Sequence, residues 1–223
     1  MPVSTRQKLI DAARQRFYRD GFRNVGIDAV LSDVGISKTA FYKHFQSKDD
    51  LMVGVLEDVD RFLQGAFRTM VRDVGGRTAR GQIEALLGVV QRVIGDEDFH
   101  GCIFVNAAME FPLPHDPAHA AALQHKRAIE EFVFELAERA GVIDPDAFAE
   151  EFCLVIEGLY VTRSVTGNPD TIAIARRLVD CIIERHVPAE RGLTDGGTNK
   201  PSATGTARQK KTRSPGSGTT KSH

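Results

Sequence analysis

From Gly26 to Leu51 the chain reads GIDAVLSDVGISKTAFYKHFQSKDDL, a stretch that specifies two short helices joined by a tight turn. Val30, Leu31 and Val34 give the first helix one apolar side, and Gly35 is the residue type that adopts the positive φ of a helix stop. Ile36 plugs the corner and Ser37 is placed to cap a second helix through its hydroxyl. Phe41 and Phe45 fall one helical turn apart and should face inward. Lys38, Thr39, Tyr42 and Lys43, at i, i+1, i+4 and i+5, occupy a sector turned by roughly 100° from those rings. Ser47 can cap the next helix, where Lys48 and the free N–H groups of the helix start make a seat for an anion. A short helix with inward rings and an outward aromatic and cationic face suits a DNA major groove, about 12 Å wide. Any one of these residues would pass as an ordinary surface or core position; the ordered set points to duplex DNA.

With the preceding helix, Ser4 to Phe22, the segment FYKHFQSKDDL resembles the TetR family of one-component transcriptional regulators, over about the first quarter of the chain. Carried over position by position, the resemblance implies that Lys38, Thr39 and Lys43 contact bases or phosphates. It implies likewise that Tyr42, His44 and Lys48 contact phosphates or support those contacts. One position departs from the pattern: Gly26 stands where the family usually has a capping Ser or Thr, so no hydroxyl is available there for a phosphate. The resemblance further implies an all-α fold, with a three-helix DNA-binding head and a larger helical body that binds an effector and dimerises. Its function would be a ligand-responsive repressor that sits as a homodimer on a pseudo-palindromic operator.

Periodicity independently supports an all-α chain of about nine helices, because no segment sustains strand alternation. Helices are expected at about 5–20, from Lys48 into the low seventies, and at about 78–94, 102–110, 118–140, 145–166 and 169–187, besides the two at the turn. In the long helix Leu51, Val55, Val59, Phe62 and Ala66 form the apolar stripe. The expected domains are a head at 1–47, a body at 48–188 and a disordered basic tail at 189–223, poor in large apolar residues. Charge follows the same division. Residues 1–50 carry nine Lys and Arg against six Asp and Glu, residues 51–190 carry 13 against 23, and residues 191–223 carry seven against one. DNA should therefore meet the head, while the tail is read as a solubilising segment in preference to a second DNA anchor.

Cys102, Cys153 and Cys181 are widely spaced and include no CxxC pair, which argues against a disulfide framework or a zinc site and for reduced, mostly buried thiols. No apolar run approaches membrane-spanning length and MPVSTRQK is not a signal peptide, so a cytoplasmic protein is expected. No GxSxG, HExxH, phosphate loop or readable Cys–His pair occurs, and no enzyme activity or cofactor is expected. His115 and His119 have metal-pair spacing but enclose Pro117 and lack further ligands; they are read as loop histidines. Phe148, Phe152, Val155 and Leu159, then Ile172, Ala175, Val179 and Ile182, form stripes that could fill the body's core. They could equally pack against a second copy; the resemblance places a two-fold four-helix interface on these two helices.

In GCIFVNAAMEF, Cys102, Asn106 and Glu110 share one helical face at i, i+4 and i+8. A polar stripe on an apolar helix needs partners, which an effector pocket would provide; the alternative is that it satisfies helix ends and neighbouring chain. The GC, N and E pattern is similar to one found in part of the TetR family. Two further readings are weighed: a repressor switched by electrophiles or oxidants at Cys102, and a helical protein-binding adaptor without DNA specificity.

Overall fold

Nine α-helices and no strand form among the described residues of the computed structural model, 3–95 and 99–188. Helix α1 (Thr5–Asp20) is capped by the Ser4 hydroxyl and buries Leu9, Ile10, Ala13 and Phe17. Helix α2 (Ile27–Val34) starts at Gly26, which makes no side-chain cap, and stops at Gly35 with φ +72° and ψ +38°. A side chain at Gly35 would strain the left-handed backbone even though open space surrounds it. Ser37 caps helix α3 (Lys38–Phe41), its Oγ accepting from Ala40 N.

Helix α3 is shorter than the spacing predicts. Regular bonding ends at Phe41, after which Lys43 N and His44 N donate to carbonyls three residues back. The chain must leave the helix early because Ser47 is already extended, at φ −155°, to cap helix α4 (Lys48–Gly75). The paired rings nevertheless face inward, stacked with centroids 5.9 Å apart and both buried.

Helices α5 (Ala79–Ile94), α6 (Ile103–Glu110), α7 (Pro117–Arg139), α8 (Pro145–Thr166) and α9 (Thr171–His186) complete the body, each within two residues of expectation. One apolar cluster joins α1, α2, Phe41, Phe45 and the start of α4 to Ile103, Phe104 and Ala107 of α6 and to Ala118 and Ala122 of α7. A second joins Val71 of α4 with α5, the latter part of α7, α8 and α9. The first cluster thus runs past residue 47 into α6 and α7, so the head does not close its own core and no packing break falls at the expected boundary.

Between Val59 and Val71 no residue of α4 is fully buried. Phe62, expected in the apolar stripe, is 65% exposed. The stripes on α8 and α9 are mainly internal: Phe148, Phe152, Leu159, Ala175, Val179 and Ile182 all lie in the second cluster, with Val155 and Ile172 packed against it. None of the thiols is fully buried; Cys102 and Cys153 are half-buried and Cys181 is exposed on α9, a correction to the expected burial. The expected tail at 189–223 lies outside the described residues.

Candidate nucleic-acid interface and internal cavity

Thr39, Tyr42, Lys43 and His44 are exposed beside the α2–α3 turn, together with Lys38. The Tyr42 ring is 57% exposed and meets Phe41 edge-on at 5.2 Å, so a buried ring positions an exposed one. Lys38 Nζ lies 2.9 Å from Asp28 Oδ1, across the turn to α2. That contact is exposed and screened by solvent, so it adds little to stability and leaves the Lys38 ammonium able to turn to a phosphate. Half-buried Lys48 donates to the Arg23 carbonyl at 3.3 Å. At the same helix start Ser47 accepts from Asp50 N at 3.1 Å, and Asp50 reaches back to Gln46 N at 2.8 Å. This reciprocal cap, with Asp49 and Asp50 in the first turn, reduces the positive field expected for an anion seat. A phosphate there would depend on the Lys48 ammonium.

The second candidate group divides. Cys102 is the N-cap of α6, makes no side-chain cap bond, and lines a partly open, mainly apolar cavity of about 560 Å³. Asn106 and Glu110 do not line that cavity; they border a smaller, open polar cleft with Arg19, Asp20 and His100. Asn106 Nδ2 donates to the His100 carbonyl at 3.1 Å. Glu110 accepts from Phe22 N at 2.9 Å and Arg23 N at 2.7 Å, one bond to each carboxylate oxygen. Gly21 makes room for this clamp: with φ +85°, its missing Cβ would stand 3.3 Å from Glu110 Oε1. Three residues that share a helical face in sequence are therefore separated along the helix, one at the cavity and one at the α1–α2 turn.

Several residues of this site gave no sequence signal. The Tyr18 hydroxyl accepts from His100 N at 2.9 Å and donates to the Gly101 carbonyl at 3.0 Å, pinning the start of α6 to α1. His125 on α7 is buried, stacks on Phe104 at 3.7 Å and places Nδ1 2.6 Å from Asp60 Oδ1. Phe62, Phe67 and Met70 of the loosely packed part of α4 face the cavity, which occupies the seam between the two apolar clusters. His119 Nδ1 sits 3.0 Å from the Phe111 carbonyl, and no metal-binding group occurs among the described residues.

Burial lowers the pKa of His125 from its ordinary value near 6.5, against the opposing pull of the Asp60 carboxylate. Below about pH 6.5 the unfolded imidazole takes up a proton that the folded one resists, so this contribution to stability is full above that value and declines as pH falls. Urea unfolding at pH 7.5 and 5.5 should show a larger loss in the native protein than in His125→Phe; equal losses would contradict the assignment. Burial likewise pushes Cys153 up to about 12, with Glu130 and Glu157 adding to the shift, which keeps this cavity thiol protonated.

An exposed aromatic and cationic face on a capped helix-turn-helix, joined to a helical body with an apolar cavity, defines a DNA-binding regulator of the one-component type. Residues 9–55 match the family described as bacterial regulatory proteins, tetR family, and residues 79–179 match the tetracyclin repressor-like C-terminal domain. The chain belongs to the TetR family, whose members are transcriptional regulators and not enzymes. It is 23% identical over 178 residues to the HTH-type transcriptional regulator YjdC of Escherichia coli, covering 80% of this chain and 93% of that one. It is 24% identical over 176 residues to the transcriptional regulator AcuR of Cereibacter sphaeroides, covering 74% and 79%. The crystal structure of SCO4454, a TetR-family regulator from Streptomyces coelicolor, superposes with a TM-score of 0.72 at 27% identity, covering 81% and 94%. No helix among the described residues is long and apolar enough to cross a membrane.

Proposed function

We propose that this protein is a cytoplasmic, ligand-responsive repressor that grips a pseudo-palindromic operator as a homodimer and releases it when a small molecule fills the internal cavity. Lys38, Thr39, Tyr42, Lys43, His44 and Lys48 would form the DNA contacts of each protomer. The observation that carries the regulatory part is the course of α6. At its start Cys102, Ile103 and Phe104 wall the cavity, and at its end Glu110 holds the backbone of Phe22 and Arg23 at the turn into the DNA-reading helices. A displacement of α6 by an effector would be passed through that clamp to the head, and a coupling of only about 1–3 kcal/mol would suffice. In this reading Asn106 and Glu110 transmit the effector signal, while Cys102 is the member of the trio able to touch the ligand.

The test is a gel shift with the DNA flanking the coding region, against random competitor at low salt, repeated over a metabolite panel. Specific retention, lost steeply as salt rises and relieved by one compound, is expected; no preference for any duplex would defeat the proposal. Glu110→Gln removes the charge and confronts one backbone N–H with an amide NH₂, at a cost on the order of 1–3 kcal/mol. The ratio of operator affinities without and with effector should shrink about tenfold. Amide exchange at Phe22 and Arg23 should accelerate in the same variant. An unchanged ratio together with unchanged exchange would remove the clamp from the mechanism.

A switch through Cys102 is a second reading, favoured by its half-buried Sγ on the cavity wall without a capping bond. Mass spectrometry after mild electrophile treatment distinguishes it: release of DNA with Cys102 unmodified excludes the thiol. The adaptor reading is set aside, because the family is one of DNA-binding regulators.

A further inference from the structure

The polar groups on the cavity wall restrict the chemistry of what can enter, which matters if the cavity is the effector site proposed above. Two cations line it, and both are already matched: Lys126 Nζ lies 2.7 Å from Glu157 Oε1, and Arg14 lies 3.8 Å from Asp11. An anion beside Lys126 would have to break its pair with Glu157, Arg14 lies in a largely exposed pair whose charge solvent screens, and a cationic effector would find Glu157 already engaged.

His125 offers something different. A carboxylate such as Asp60 only accepts, so the proton of a singly protonated ring sits on Nδ1 and leaves Nε2 with a free lone pair. Burial keeps the ring in that singly protonated form. The stack on Phe104 and the Asp60 bond, itself backed by Gln64 Nε2 at 2.6 Å from Asp60 Oδ2, fix the plane and rotation of the imidazole. Nε2 has no partner among the described residues, yet no side-chain nitrogen or oxygen there is both sealed and unpaired. The residue as a whole is only 6% exposed and lines the cavity, so its free edge opens inward. Tyr160 lines the same cavity, its ring tilted on Phe99 at 5.6 Å and its hydroxyl without a hydrogen-bond partner among the described residues.

We infer that the cavity selects an uncharged, largely apolar effector whose hydroxyl or N–H donates to Nε2 of His125 and whose oxygen can accept from the Tyr160 hydroxyl. The volume, about 560 Å³, suits a molecule of two or more fused or linked rings. Phenolic and alcoholic ring systems belong to this class; their carboxylates do not.

The experiment titrates the whole chain with N-phenyl-1-naphthylamine, a neutral fluorophore bearing one N–H, and displaces it with 2-naphthol, naphthalene and 2-naphthoate. 2-Naphthol should bind about tenfold more tightly than naphthalene, the worth of one buried hydrogen-bonded group, and at least tenfold more tightly than 2-naphthoate. His125→Phe keeps an aromatic ring against Phe104 and should bring 2-naphthol to within about twofold of naphthalene. Tyr160→Phe, which leaves Asp60 paired, should reduce the preference about threefold and serves if the His125 variant does not fold. Binding of 2-naphthoate at least as tight as that of 2-naphthol, or an undiminished preference in Tyr160→Phe, would overturn the inferred ligand class alone. Ile156→Trp, judged folded by circular dichroism, puts an indole into the cavity and should weaken binding of every probe that sits there by about tenfold. Undiminished binding in that variant would show that they sit elsewhere, and would remove the support for the cavity as effector site as well.

Discussion

Tyr42→Ala is expected to weaken operator binding by about a hundredfold or more, while the thermal midpoint of the protein hardly moves. The ring is 57% exposed and touches its own fold chiefly through the edge-on contact with Phe41, so its removal should alter stability by about 0.5 kcal/mol or less. In a dimer each operator loses two such contacts, and at about 1.5 kcal/mol each the sum is roughly two orders of magnitude in affinity. Tyr42→Phe separates ring from hydroxyl and should fall between. Because neither change removes a charge, the slope of log affinity against log salt should stay as it is. Lys43→Ala should instead flatten that slope by about two, one phosphate from each protomer. Operator affinity unaltered in Tyr42→Ala would assign the DNA face to another part of the head.

The contrast between these variants reflects what sequence can carry. The stop at Gly35 and the caps at Ser37 and Ser47 are local chemistry, and they place the end of α2 and the starts of α3 and α4, though not the early end of α3 at Phe41. The inward rings and outward basic face of the turn are legible for the same reason: a helix of fixed period decides which residues share a side. A contact across tens of residues has no such rule. Asp60 and His125 are 65 positions apart, and nothing in either neighbourhood marks the other. Glu110 could be placed on a face with Cys102 and Asn106, but not against Phe22 and Arg23, because α6 spans both the cavity and the head. Phe62 reads as core by periodicity and is exposed, since a cavity removes the packing partner that the period assumes. On α8 and α9 the strongest apolar stripes serve the internal core, and a weaker set of apolar residues faces outward.

That outward set carries the second large effect. Leu154, Val161 and Val165 recur at i, i+7 and i+11 on α8 with relative exposures of 73%, 47% and 79%, while Ile174 and Leu178 are exposed on α9 at 47% and 50%. Gly158 lies between them with open space where a Cβ would be, so a partner helix could approach closely there. Five large apolar residues on two adjacent antiparallel helices are more than a monomer usually leaves in water, and a two-fold pairing of the helices would cover them twice over. Leu154→Glu combined with Leu178→Glu should therefore yield a folded monomer. The helical signal should persist because Phe148, Phe152, Val179 and Ile182 remain in the internal core, while four carboxylates per dimer enter the contact. Burying such charges unpaired costs about 3–5 kcal/mol or more, so the dimer should weaken by roughly a thousandfold in sedimentation velocity. Operator affinity should collapse with it, since one protomer reaches only half of a two-fold site. If the double variant sediments as a dimer and still holds the operator, the copies pair through a different surface, and the exposed faces of α8 and α9 must serve another purpose.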